Sequence, residues 1–181
     1  MNLQIFNASP RKNGNCAFIK NEIIAKYNDK NVIEEFHLND LIYKGCQACY
    51  SCKNNNSFCV VEDDLNRLLP SLIETKVIIL LTPNYYNFCS GQLKLFLDRW
   101  FCFSDKKGYS RFVNGTKLFF IVTQGSPNSQ YSQAMVEWMK SFTSHYQLKF
   151  YGFIVPNCNN DNIDGARLKM NDILLHLSMF I

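Results

Sequence analysis

Two uninterrupted apolar runs in the middle of the chain constrain the fold more than any other feature. KVIILLT covers residues 76–82, and KLFFIVT covers residues 117–123. A continuous apolar run of this length is typical of a strand that is covered on both faces. Such strands occur in parallel sheets, where a helix usually makes each crossover connection. The two runs therefore predict a buried parallel sheet.

The remaining sequence alternates between strand-like and helical patterns. Three further strands are predicted at residues 3–6, 32–38 and 149–155. Apolar residues at helical spacing predict helices between and after the strands. These predicted helices cover residues 16–27, 65–73, 90–102, 131–146 and 163–180. This alternation predicts an α/β fold, with one parallel sheet and helices on both of its faces.

Length and charge narrow the class of protein further. A chain of 181 residues fits one domain, and no repeat or linker divides residues 1–181. The net charge of +4 comes from scattered basic residues, so we expect no nucleic-acid partner. The charges of the N-terminal segment follow its apolar residues, the reverse of a signal peptide, and no apolar run is long enough for a membrane helix. We expect a cytoplasmic protein without a membrane partner.

The predicted sheet directs attention to three loops. Ligands of open parallel α/β sheets bind outside the carboxyl ends of the strands, where the strand order reverses. The loops after the first, third and fourth strands are NASPRKNGN (residues 7–15), PNYYNFCSG (residues 83–91) and QGSPNS (residues 124–129). The third of these is a flexible loop whose backbone N–H groups can contact the polar edge of a ligand. We expect a binding site where the three loops meet.

The first loop carries the donors of an anion site. Backbone N–H groups at a helix start bind anions, and hydroxyl, amide and guanidinium groups add to them. The residues concerned are Ser9, Arg11, Asn13, Gly14, Asn15 and Cys16. The loop matches neither a nucleoside triphosphate loop nor a dinucleotide-binding turn. A phosphomonoester is favoured, and an ordinary Gly/Asn turn that caps a helix is the alternative.

The second loop brings aromatic and amide groups to the same edge. Pro83 ends the strand, and Asn84 and Asn87 supply amides. Tyr85 and Tyr86 can flank a planar ring, because aromatic faces favour offset stacking. Ordinary packing of two neighbouring tyrosines is the alternative.

Four of the eight cysteines lie in one segment at about residues 39–61. Cys46, Cys49, Cys52 and Cys59 have the spacing C-x2-C-x2-C-x6-C. The first three match the ferredoxin pattern that holds a [4Fe–4S] cluster. Structural zinc more usually shows two separated C-x2-C pairs, and a disulfide is disfavoured in a reducing compartment. Free thiols in a loop beside the ligand site or a dimer interface are the remaining alternative.

Three blocks of the sequence, taken together, resemble one known family. SPRKNGN before a helix, the cysteine segment before EDDL, and TPNYYNFCSGQLKLFLDR all lie within the first 99 residues. In order and spacing they resemble the NAD(P)H-dependent FMN reductases of the flavodoxin-like superfamily. Within that family they are most similar to the iron–sulfur flavoproteins and their relatives without a cluster.

The resemblance implies a flavodoxin-like three-layer sandwich, with a five-stranded parallel sheet of order 2-1-3-4-5, that binds FMN. The first loop would hold the FMN phosphate, and the second loop would line the isoalloxazine ring. Thr123, Gln124 and Gly125 would contact the far edge of the ring. The chain departs from the family at three positions, since Ala8 replaces a common glycine, Cys16 replaces Thr or Ser, and Asn84 replaces a commoner aliphatic residue.

The resemblance also implies a function. NAD(P)H would reduce the bound FMN, which would pass electrons to a small acceptor such as a flavin or a quinone. One alternative is an iron–sulfur flavoprotein that carries [4Fe–4S] and FMN and receives electrons from ferredoxin, and another is a flavin-binding redox sensor without turnover. The family implies a homodimer or a tetramer. We nominate no catalytic residue, because the flavin does the chemistry, and expect His37, His145 and His176 to be structural or surface residues.

Overall fold

A five-stranded parallel sheet lies at the centre of the fold. The computed structural model describes residues 2–159 and 162–181. The strands are β1 (Asn2–Asn7), β2 (Val32–His37), β3 (Val77–Pro83), β4 (Lys117–Thr123) and β5 (Lys149–Val155). Their order is β2-β1-β3-β4-β5, and every neighbouring pair is parallel. The predicted strand order 2-1-3-4-5 is confirmed.

In the part of the chain that the structure describes, six helices surround the sheet. They are α1 (Asn15–Tyr27), α2 (Ser51–Asn54), α3 (Asp64–Leu72), α4 (Gly91–Asp98), α5 (Gln130–Ser144) and α6 (Asp164–Ser178). Helices α1 and α6 pack on one face of the sheet, and α3, α4 and α5 pack on the other. The three-layer arrangement predicted from the alternation of strands and helices is therefore confirmed.

One predicted helix differs in type over its last turn, and one short helix was not predicted. The helix predicted for residues 90–102 ends as an α-helix at Asp98 and continues as a 3-10 turn over Arg99–Phe103. The tighter turn places Trp100, Cys102 and Phe103 in the core together. Helix α2 was not predicted, because its four residues lie within the cysteine segment, which has no apolar periodicity.

Strand β3 shows why the apolar runs specify a central position. Ile78 and Leu80 lie in the core beneath α3, α4 and α5, whereas Ile79 and Leu81 lie in the core beneath α1 and α6. All four are fully buried, so successive side chains contribute alternately to both cores. Each such side chain contributes about 1.5–3 kcal/mol through burial, which holds the strand in the middle of the sheet.

The carboxyl ends of β1 and β3 are joined by direct hydrogen bonds. The backbone N–H of Ala8 donates to Leu81 O at 2.8 Å, and the Ser90 hydroxyl donates to Ala8 O at 2.7 Å. The same hydroxyl caps α4 by accepting from the N–H of Leu93 at 3.3 Å. One buried serine therefore sets the spacing of the first and second loops. Among the residues described, no helix is both long and apolar enough to cross a membrane.

Replacing Ser90 by alanine removes this link. Both Ala8 O and the N–H of Leu93 then lose their partner in a buried setting. We expect Ser90→Ala to lower the free energy of unfolding by about 1–3 kcal/mol. Urea denaturation measures the change. Ser178→Ala removes an exposed hydroxyl at the end of α6 and serves as the control, with an expected change within about 0.5 kcal/mol. Equal losses in the two variants would contradict the prediction.

Candidate functional site

A cavity of about 420 Å³ opens at the carboxyl ends of β1, β3 and β4. This is the edge at which the strand order reverses, so the cavity lies where ligands bind in open α/β sheets. The three predicted loops line it, together with the loop after β5. The lining residues are Ser9, Arg11, Gly14, Asn15, Cys16, Pro83, Asn84, Tyr85, Thr123, Gln124, Gly125, Cys158 and Asn159.

The first loop is folded by its own polar groups. The Asn7 side chain accepts from the N–H of Ser9 at 3.0 Å, and the Ser9 hydroxyl accepts from the N–H of Arg11 at 3.2 Å. Gly14 is the N-cap residue of α1, in extended conformation. The first N–H groups of a helix have no acceptor within the helix, so those at the start of α1 are available to an anion.

The side chain of Asn15 is used within the protein. Its Nδ2 donates to Asn159 O at 3.3 Å and to Asn162 O at 3.2 Å. Both amide hydrogens therefore tie the loop after β5 to the start of α1. The backbone N–H of Asn15 is the group that remains for an anion. The side chain acts on the shape of the cavity rather than as an anion donor.

Cys16 lies deeper, at the second position of α1. Its Sγ is 3.3 Å from Thr123 Oγ1, so the thiol and the hydroxyl share a hydrogen bond. A helix N-terminus usually lowers the pKa of a thiol. Here burial raises the pKa of Cys16 to about 12. The thiol therefore stays neutral and places no negative charge beside an anion.

The second loop presents its aromatic residues outward. Tyr85 and Phe88 exchange two backbone hydrogen bonds, of 2.8 and 3.1 Å, which close a tight turn. Tyr86 and Asn87 occupy the turn with φ of 52° and 65°. Tyr85 lines the cavity, whereas Tyr86 is fully exposed at 103 %. The turn therefore gives the cavity one tyrosine and leaves the other in solvent.

Eleven of the fourteen predicted site residues line the cavity. Asn13, Tyr86 and Asn87 do not, and all three are exposed. Two lining residues, Cys158 and Asn159, were missed by sequence reasoning. They belong to the polar loop that follows β5, and the rule that sites lie at the carboxyl ends of parallel strands was the available signal.

The cysteine segment forms a second, smaller pocket. Cys46, Cys49, Cys52 and Cys59 line it together, with Cys102 as a fifth cysteine in its wall. Cys46 and Cys49 are exposed, and Cys52 is buried. Burial raises the pKa of Cys52, whereas hydrogen bonds from Ser51 lower the pKa of Cys49. The pocket thus holds thiols of unequal acidity.

Four thiols in one pocket are the donor set of a [4Fe–4S] cluster. The free volume is about 10 Å³, which is at the limit for a single water molecule. A cluster would therefore require the exposed part of the segment, with Cys46 and Cys49, to lie further out. Within residues 2–159 and 162–181, no group of three or more His, Cys, Asp or Glu side chains is arranged to hold a metal ion.

Arg99 fastens the cysteine segment to the domain. Its guanidinium pairs with Asp63 at 2.6 Å and donates to Cys59 Sγ at 3.1 Å. It also donates to Lys44 O at 2.9 Å and Val61 O at 3.2 Å. Arg99 is only 1 % exposed. Burial tends to raise the pKa of Asp63, but the hydrogen bond and charge of Arg99, together with the hydrogen bonds from the N–H groups of Lys44 and Leu65, outweigh it and hold that pKa below its usual value.

Comparison with known proteins identifies the family. Residues 1–157 match the family model described as NADPH-dependent FMN reductase. The chain belongs to this family.

Curated relatives of the chain carry the name iron–sulfur flavoprotein. One, from Methanocaldococcus jannaschii, is 32 % identical over 94 residues, which are 51 % of this chain and 48 % of the relative. Another, from Archaeoglobus fulgidus, is 33 % identical over 101 residues, 55 % of this chain and 48 % of the relative. The chain therefore matches about half the length of each.

Solved structures support the flavodoxin-like fold of the chain. NAD(P)H:quinone oxidoreductase from Methanothermobacter marburgensis superposes with a TM-score of 0.73 at 13 % identity, covering 95 % of this chain and 92 % of that one. An FMN-dependent NADH-azoreductase from Bacillus anthracis, in complex with FMN, gives 0.67 at 14 % identity, covering 97 % and 98 %.

The volume of the cavity and the residues that line it are compatible with FMN. Its volume lies in the usual range for cofactor sites of about 300–1,000 Å³. One end has the helix N–H groups, a hydroxyl and a guanidinium, which suit a phosphate dianion. The other end has a tyrosine and amide groups, which suit a planar heterocycle with polar edges. The neutral thiol of Cys16 between them is compatible with both.

The buried pair between Arg99 and Asp63 gives a testable prediction. Arg99→Met would leave the Asp63 carboxylate buried without its cation, so we expect a loss of about 3–5 kcal/mol in the free energy of unfolding. Lys94→Met is the matched control, because Lys94 pairs with Asp98 on the same helix, but in an exposed position. Its expected loss is about 1 kcal/mol or less. Denaturant titration of both variants measures the difference, and a loss below about 1 kcal/mol for Arg99→Met would contradict it.

Proposed function

We propose that the protein is an FMN-dependent NAD(P)H oxidoreductase whose electrons pass to a small acceptor such as a free flavin or a quinone. The observation that carries the proposal is the cavity at the strand-order reversal. It combines an anion site at the start of α1 with an open, aromatic and amide-bearing end after β3 and β4. A phosphate-bearing planar cofactor needs both ends at once.

Three parts of the first loop act on the phosphate. The backbone N–H groups that begin α1 point along the helix axis toward the anion, where the helix dipole favours negative charge. The hydroxyl of Ser9 and the guanidinium of Arg11 add donors from the other side of the loop. His37 holds this loop in place, because its Nε2 bonds to Ser9 O at 2.7 Å while its Nδ1 lies 3.2 Å from Asp40.

The second loop acts on the ring. Pro83 and Asn84 continue β3 to the edge of the cavity, and Tyr85 offers its aromatic face. The partial exposure of Tyr85 leaves that side accessible to a second planar group, such as a nicotinamide. When bound, FMN supplies the hydride and electron transfer, so the protein contributes position and electrostatics and requires no acid or base.

Anaerobic reduction of the FMN-loaded protein tests the proposal. We expect NADPH or NADH to bleach the visible absorbance of the bound flavin, and a quinone or free flavin to restore it. The measurement is anaerobic stopped-flow absorbance after reconstitution with FMN. A protein that binds FMN but is not reduced by either nicotinamide would overturn the nicotinamide route. A protein that cannot be reconstituted with FMN would overturn the whole proposal.

Variants of two neighbouring basic residues distinguish a contact with the phosphate from a general effect of positive charge. Arg11 lines the cavity, whereas Lys12 pairs with Asp40 at 3.0 Å and does not line it. We expect Arg11→Ala to weaken FMN binding roughly 10- to 100-fold and to leave riboflavin binding unchanged, because only FMN carries the phosphate. Lys12→Ala should leave both unchanged. Flavin fluorescence titration measures the dissociation constants, and equal losses for FMN and riboflavin would contradict this assignment.

The cysteine pocket supports a second candidate, an iron–sulfur flavoprotein that transfers electrons from ferredoxin to FMN. It places four thiols of the predicted spacing together, and curated relatives carry that name. Iron and sulfide analysis of anaerobically purified protein distinguishes the candidates. About four irons and four sulfides per chain, with little response to nicotinamide, would favour the second.

We also propose a cytoplasmic homodimer or tetramer, as the family resemblance implies. The cysteine segment and the exposed tyrosine turn are two surfaces that a partner subunit would cover. Light scattering of the FMN-loaded protein measures the assembly. A monomer at micromolar concentration would overturn the proposed oligomeric state.

A further inference from the structure

Asn84 occupies a fixed place between the sheet and the cavity. Its backbone N–H donates to Thr123 O at 2.7 Å, so the residue continues the pairing of β3 with β4 by one step. It is partly buried, and it lines the cavity.

The orientation of the Asn84 amide follows from its partners. Its Nδ2 donates to Tyr131 O at 3.1 Å and to Ser132 Oγ at 2.7 Å. A backbone carbonyl can only accept, so the nitrogen rather than the oxygen of the amide must face Tyr131. Both amide hydrogens are thus directed toward the start of α5.

Ser132 and Gln124 fix the direction of the whole chain of hydrogen bonds. Ser132 is completely buried, and its hydroxyl donates to Gln124 Oε1 at 2.5 Å. Gln124 Nε2 donates in turn to Ser126 O at 2.7 Å and to Asn128 O at 2.8 Å. Since these last two acceptors are also carbonyls, the Gln124 amide cannot be reversed either. Each hydrogen bond of the network therefore has a fixed donor and a fixed acceptor.

The network leaves the side-chain oxygen of Asn84 for a ligand. The backbone N–H of Gln124 donates to Val155 O, and its carbonyl accepts from the N–H of Cys158, so the polar groups of Gln124 are all engaged. Gln124 therefore positions its neighbours, although it lines the cavity. Among the described residues, Asn84 Oδ1 has no hydrogen-bond partner, and it is not one of the buried unsatisfied atoms. It is a pure acceptor on a cavity-lining side chain.

We propose that Asn84 is a specificity-determining residue, whose amide oxygen the Ser132–Gln124 network presents as an acceptor to a ring N–H of the bound flavin. The proposal rests on the proposed binding of FMN in the cavity. An oxidised isoalloxazine ring has a single N–H donor, N3–H, which lies between two carbonyl acceptors. An acceptor held rigidly at the cavity wall selects for that N–H, whereas an aliphatic side chain at the same position does not. Ser132 and Gln124 are positioning residues, because they act through Asn84.

A flavin analogue that lacks the donor provides the test. FMN and its N3-methyl analogue are titrated into the apoprotein, and flavin fluorescence gives both dissociation constants. We expect the wild type to prefer FMN by at least tenfold, since the analogue leaves the Asn84 oxygen without a donor. We expect Asn84→Leu to reduce this preference at least fivefold. Leucine is similar in size to asparagine, and the position is only partly buried, so the variant is expected to fold.

A second variant tests whether Ser132 positions the Asn84 amide, and a serine elsewhere on α5 serves as its control. Ser132→Ala removes the central link, and we expect it to lower the preference for FMN over the analogue while Asn84 itself is retained. Ser144→Ala changes an exposed serine at the other end of α5, and we expect it to keep the full preference. The readout is a ratio of two affinities, which a general loss of stability would not change.

The outcomes separate this inference from the proposed function. A wild type that binds FMN and its N3-methyl analogue equally would overturn the inference alone. An Asn84→Leu variant that keeps the full preference would also overturn it, and the proposed function would stand. Absence of FMN binding to the wild type would overturn the proposed function and this inference with it.

Discussion

The cavity exists because β1 pairs with both β2 and β3, and the chain leaves the two central strands in opposite directions. After β1, the chain enters α1 on one face of the sheet, and after β3 it enters α4 on the other face. Two neighbouring parallel strands whose exits diverge leave a crevice between their carboxyl ends. The anion site, the tyrosine turn and the Asn84 network all depend on this divergence, because each belongs to a loop at one side of the crevice. The link from Ser90 to Ala8 keeps the crevice at a fixed width.

The sheet and most of the cavity lining could be predicted, because both depend on local pattern. The continuous apolar run of β3 predicts a central strand that is covered on both faces. Parallel strands place the loops that follow them at the same edge of the sheet. Cys158 and Asn159 could not be placed in this way. They line the cavity because Asn15 hydrogen-bonds the loop after β5 to the start of α1. A contact between residues more than 140 positions apart cannot be predicted from local sequence spacing.

Arg99 shows a second limit of sequence reasoning. Arginine is mostly exposed in folded proteins, and DRW at the end of a predicted helix gives no sign that the guanidinium is buried. Its burial depends on Asp63 at the start of α3 and on partners from the cysteine segment, namely two backbone carbonyls and the sulfur of Cys59. The spacing of the cysteines matched a [4Fe–4S] pattern, with free thiols in a loop as the alternative, and the structure places the four thiols in one pocket. The cation at the base of that pocket could be found only from the tertiary structure.

The two hydrogen bonds of Asn15 have a consequence for the walls of the cavity. They tie the loop after β5 to the start of α1, because one amide nitrogen donates to both Asn159 O and Asn162 O. The tyrosine turn is closed by two backbone hydrogen bonds between its own residues Tyr85 and Phe88, and Tyr86 contacts solvent. One wall of the cavity is therefore held to a different element of the fold, whereas the hydrogen bonds that close the tyrosine turn stay within the turn.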